Sequence, residues 1–248
     1  MYQAASLWLL IAMMLAWAVR RLWCGLVEPR LLNVFLLPGT IIAQVGFIVA
    51  LLLGNATEAE VSLLGPSEHE PAEGKEKQKP PPELPLSVSV LAGLLPLVAV
   101  GAALMVVLTS WGGPLVQHVS PELVSPEIPR DLSTFWTQAR GLLSLSEQTL
   151  SAMGQLDWGH WPTWVFAYVL ICLCLWLAPI HGNTRGHVYA VAALGAAAAL
   201  AGTVLPGMPD LVRGSWPILT VVVGVLFGLL LGSLALRGAL VVVREVSR

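Results

Sequence analysis

A chain of 248 residues that is 56% hydrophobic and only 11% charged, with a mean hydropathy of +0.76, falls outside the range of soluble domains and into the polytopic membrane class. A formal net charge of -2 gives no reason to expect nucleic acid as a partner. The three cysteines build no framework: Cys24 lies beside the end of the first apolar run, and Cys172 and Cys174 are two apart, on roughly opposite sides of a helix. They read as small apolar residues in packed helices.

The first predicted span covers residues 4–19 and is closed by Arg20 and Arg21, which extend it to Trp23 if their stems snorkel to the interface. Met1-Tyr2-Gln3 lacks basic residues and no small-residue cleavage site follows, so this run is expected to remain as a helix. A polar turn, Glu28-Pro29-Arg30, leads to a second span over residues 31–54. Residues 55–85 mix charge with clustered proline and read as a solvated loop, with a short interfacial strand over 59–64. The third span, 86–110, contains Pro96 as a kink and Gly93, Gly101 and Ala102 as sites of close packing.

Residues 111–160 read as an extramembrane segment. It opens as an extended piece through Pro114, Pro121, Pro126 and Pro129 and continues as an amphipathic helix over 130–153. Leu132, Phe135, Trp136, Ala139, Leu142, Leu143, Leu150 and Met153 form its apolar stripe, which is expected to pack on the transmembrane bundle. The fourth, fifth and sixth spans are placed at 161–179, 187–205 and 216–243. The fifth is rich in alanine and glycine, which favours close backbone approach over lipid contact. The sixth carries Thr220, Gly224, Gly228 and Gly232 at four-residue spacing, a double GxxxG that offers a groove to another helix, in this chain or in a partner. The expected fold is therefore an all-α polytopic membrane domain with about six transmembrane helices. Orientation stays open: Arg20, Arg21 and Arg30 favour a cytoplasmic first loop, yet six spans would put Arg237, Arg244 and Arg248 outside.

Three segments carry a resemblance to a known family. Pro38-Gly39-Thr40-Ile41-Ile42-Ala43-Gln44-Val45-Gly46-Phe47, with the apolar run to Gly54, resembles the zinc-binding helix of M50 (site-2-protease-like) membrane metalloproteases, which reads P-G-x-x-x-H-E-x-x-H in one branch. Gly93 and Pro96 resemble that family's G-x-x-P-x-x-G helix, with Ala99 in place of the last glycine. The run from Ala178-Pro179 to Gly186 is similar to its A-P-S-x-x-D turn, where the aspartate would be a third metal ligand and this chain has Asn183. The resemblance thus implies a protease frame without a zinc site. Ala43 and Phe47 cannot replace two histidines on one helix face, Gln44 cannot act as a base near neutral pH, and Asn183 is a poor substitute for a carboxylate.

No metal or cofactor is expected. His160, His181 and His187 read as loop or helix-end residues. Gln44, mid-span, should face protein or a cavity, with Asn183 as a conceivable partner. The leading functional expectation is a catalytically inactive M50-like scaffold, a subunit of a larger assembly of integral membrane proteins, in the bacterial inner membrane. A homo-oligomer is one form of that assembly. The alternative is a small transporter or a lipid- or quinone-binding membrane protein, although the spans are poor in ionisable groups. A hydrolase using Ser110, Ser120 or Ser125 lacks both the G-x-S-x-G context and a paired base.

Overall fold

Helix α1, Tyr2–Cys24, is apolar along its length and ends where Gly25 closes a turn on the Leu22 carbonyl. Arg21 in its last turn suits the negative end of the helix dipole. In the computed structural model, which describes residues 2–27, 29–53, 86–119, 132–178, 184–204 and 208–246, every regular element is a helix. Helices α2 (Pro29–Phe35) and α3 (Leu37–Leu53) are nearly continuous. They are interrupted at Leu36 because Pro38 has no N–H to give, while the Leu36 and Thr40 amides carry the ladder across the break. Then come α4 (Leu86–Ser110), α5 (Gly113–His118), α6 (Leu132–Gly154), α7 (Trp161–Leu175), α8 (Thr184–Val204) and α9 (Met208–Val246).

Three helical stretches among the described residues are long and apolar enough to cross a membrane: Ala4–Cys24, Val90–Ser110 and Val212–Val243. Two shorter apolar stretches, Leu37–Ala50 and Trp161–Leu175, fall below the roughly 20 residues that a span needs. Residues 55–85, including the strand read over 59–64, and Pro121, Pro126, Pro129 and Asn183 lie outside the described residues.

The main core forms where α1 meets α9. Ala4, Trp8, Ala12, Ala16 and Val19 make one buried face of α1, and Val221, Val223 and Leu226 are closed off completely on α9. The two helices run parallel. Near their starts, Ala5 and Ser6 share a cavity with Ser215 and Leu219; further along, the Trp23 indole N–H donates to Ser233 Oγ at 2.8 Å. Helix α4 runs the other way, since Leu97 clusters with Met13 while Leu104 and Met105 reach the level of Ser6 and Leu9.

Two expectations for residues 111–160 are corrected. Pro114 does not open an extended piece: it sits in the first turn of α5, where its missing N–H costs nothing, and Leu115 and Val119 are buried in the main core. Helix α6 does pack on α9, and Leu142 and Met153 of the expected stripe lie against the core, but the most buried positions fall to one side of that stripe. Leu145, Ser146, Thr149 and Ala152 are buried, whereas Trp136, Leu143 and Leu150 are exposed. A glycine groove admits small side chains close to its backbone, so the side buried most deeply is the less hydrophobic one.

The parallel course of α1 and α9 also bears on the number of spans. Two helices that cross in the same direction are separated by an even number of reversals, so a chain whose first and last spans are parallel crosses an odd number of times. Of the six expected spans, three coincide with helical stretches that are long and apolar enough to cross, among the described residues.

Candidate functional site

Among the described residues of α3, those that are buried are all small. Gly39, Ala43, Gly46 and Ala50 are buried at spacings of four, three and four. Ile41, Val45, Val49 and Leu52 point outward on the other side. The alternation of four and three keeps one stripe facing a neighbour, and the absence of bulk lets backbones touch.

Both glycines meet backbone. A Cβ on Gly39 would fall on the Trp176 indole and lie 2.9 Å from the Cys172 carbonyl oxygen of α7. A Cβ on Gly46 would lie 2.8 Å from Pro96 Cα and 2.9 Å from the Leu95 carbonyl oxygen of α4. Pro96 has no N–H, and it presents a flat backbone surface onto which only glycine fits. The structure thus brings the Pro38–Gly39 segment, the Pro96 segment and the last turn before Ala178 together around α3.

The α2–α3 break is held by α7. Tyr168 donates its hydroxyl to the Phe35 carbonyl at 2.7 Å, Cys172 Sγ–H points at the same oxygen at 3.3 Å, and Trp176 Nε1–H donates to the Leu36 carbonyl at 3.1 Å. These three residues are four apart, so they line one face of α7 and its last turn. The Leu36 oxygen also accepts from the Thr40 hydroxyl at 3.0 Å. On the far side of Trp176, the Arg20 guanidinium of α1 lies 4.9 Å from the ring centroid, a cation–π contact. The corner therefore ties α1, α2, α3 and α7 with polar contacts, each satisfied inside the protein. The signal for it was in the sequence as Tyr-x-x-x-Cys-x-x-x-Trp, of which only the cysteine was singled out, as a small apolar residue.

Of the α3 residues singled out from the sequence, Ala43 is fully buried, and Gln44 and Phe47 are half-buried. Gln44 has an interaction of its own. Asn183 lies outside the described residues, so its relation to Gln44 is not described. Among the described residues no three His, Cys, Asp or Glu side chains converge. His160 is a loop residue paired with Asp157 at 3.3 Å and exposed to solvent. Cys172 and Cys174 are buried as expected, whereas Cys24 is exposed.

The double GxxxG divides along its length. Thr220 is buried, with its hydroxyl on the Trp216 carbonyl at 2.9 Å. A Cβ on Gly224 would collide with Thr149 Oγ1 of α6. Gly228 meets only the tip of Leu150 at 3.8 Å, and Gly232 meets nothing within 4 Å. The upper half of the motif is thus filled by a helix of this chain, and the lower half opens into a cavity of about 460 Å³. No family model, curated protein or solved structure matches the chain.

Proposed function

We propose that this chain is a catalytically inactive, M50-like integral membrane protein that serves as a structural subunit of a membrane protein complex. In this reading α1, α4 and α9 cross the bilayer, the total number of crossings is odd, and the ends of α1 and α9 bearing Arg20, Arg21 and Arg237 face the cytoplasm. That removes the conflict between the first loop and the C-terminal arginines. Helices α3 and α7 enter the membrane only part-way.

The observation that carries the scaffold reading is the last third of α9. From Leu234 to Val243 every residue is exposed, with Val242 at 62% and Val243 at 63%. An apolar helix that leaves its own bundle offers hydrocarbon or another helix a surface that nothing among the described residues covers. Burial of Ala43, at the first ligand position, gives further support: that side of α3 is spent on packing rather than on a site open to substrate.

The test is affinity capture from gently solubilised native membranes, comparing wild type with Val242→Glu. A stoichiometric partner lost in the variant supports the reading. Wild type recovered as a monodisperse monomer with no co-purifying protein counts against it.

A further inference from the structure

The open half of the α9 glycine motif forms the wall of the 460 Å³ cavity, with α6 opposite and the end of α1 closing one side. Along α9 the cavity extends from Gly224 to Leu236, about 18 Å at 1.5 Å per residue. One leaflet of a bilayer is about 15 Å of hydrocarbon, so the groove matches the depth of one leaflet. Its polar groups need no ligand: Trp23 Nε1–H is given to Ser233, and the hydroxyls of Ser233 and Thr149 go to the carbonyls of Leu229 and Leu145 at 2.6 and 2.7 Å. What remains facing the cavity is hydrocarbon.

On α9 the end of the groove is marked by a cation. Arg237 follows Leu236 directly and stands one helical turn beyond Ser233, both of which line the cavity. Arg21, on the neighbouring α1 end, lies 5.2 Å from the Trp17 ring and so is held near the surface. Among the described residues neither arginine has an ion pair, and α9 carries no acidic residue between Asp210 and Glu245. An aliphatic slot of leaflet depth with the Arg237 cation at its α9 end has the pattern of a phospholipid with a negative head.

We propose that the groove between α6 and α9 holds one acyl chain of an anionic phospholipid, with its phosphate at Arg237. The inference rests on the membrane placement of α9 given above, and it is independent of the scaffolding role. A second copy of the chain laid in the groove would require a helix to pass the Leu150 and Leu236 side chains that line it, both more than half exposed.

The test uses the full chain in nanodiscs of mixed phosphatidylglycerol and phosphatidylcholine, extracted into mild detergent, with retained lipid measured by mass spectrometry. Wild type should retain phosphatidylglycerol in preference to phosphatidylcholine. Gly228→Leu combined with Gly232→Leu fills the slot and should abolish retention of both lipids. Arg237→Gln, an exposed change that leaves the packing alone, should lower the preference about fivefold without abolishing retention. Equal retention of the two lipids by wild type, or an unchanged preference in Arg237→Gln, overturns the proposal. So does a disulfide dimer of Leu236→Cys in a Cys24→Ser background, which would place a second protein in the groove.

Discussion

Gly46→Ala isolates the contact that defines how α3 meets α4. The added Cβ would stand 2.8 Å from Pro96 Cα and 2.9 Å from Pro96 N and the Leu95 carbonyl oxygen. All three are backbone atoms, so no rotamer change relieves the overlap, and the helices must part by about half an ångström. Overpacking of this kind costs about 1–3 kcal/mol, while exchanging glycine for alanine inside a helix returns up to about 1 kcal/mol. The net expectation is a loss of about 1–2 kcal/mol. Gly101→Ala is the internal control. It lies in α4, has nothing within 4 Å of its new methyl, and should gain about 0.5–1 kcal/mol from the same propensity term. Thermal unfolding in one detergent, followed by tryptophan fluorescence, should place Gly46→Ala below wild type and Gly101→Ala at or above it. A Gly46→Ala protein that melts with or above wild type would refute the close approach at Pro96 and with it the placement of α3.

The α7 corner makes a second prediction. Trp176→Phe keeps most of the ring but loses the bond to Leu36 and weakens the contact with Arg20, costing about 1–2 kcal/mol by the same melt; a double-mutant cycle with Arg20→Met should show a coupling of about 0.5–1 kcal/mol. Membrane topology can be read by labelling with an impermeant maleimide: native Cys24 and an introduced Gly238→Cys should react from the same side, and labelling from opposite sides would exclude the parallel arrangement of α1 and α9. Rebuilding the protease motif as Ala43→His, Gln44→Glu and Phe47→His should lower the melting temperature and give no stoichiometric zinc, because a residue with no exposed surface leaves an imidazole no room. One zinc per chain with an unchanged melt would contradict that packing.

The places where sequence and structure part company share a cause. Helix α6 was visible in the hydrophobic spacing, but its most buried positions were not: the eye follows Trp136, Leu143 and Leu150, whereas Gly224 on α9 meets Thr149 and Leu145. The α9 motif was legible as a groove, yet nothing in GxxxG says that Gly224 meets a helix of the same chain while Gly232 stays open. On α3, the sequence showed that Ala43, Gln44 and Phe47 offer no metal-binding set, and burial then added that Ala43 is a packing residue in its own right.

Composition alone settled that this chain is apolar and helical, because long runs without charge leave the backbone no partner but itself in hydrocarbon. The sequence located most helix ends to within a few residues, since proline, glycine and arginine mark them locally, but it began the last helix at 216 rather than Met208 and read α5 as an extended piece. Direction and neighbour were decided only in three dimensions. A helix carries no local record of which way the one beside it runs, and that α1 and α9 are parallel follows from contacts between residues about two hundred positions apart, Trp23 with Ser233 among them.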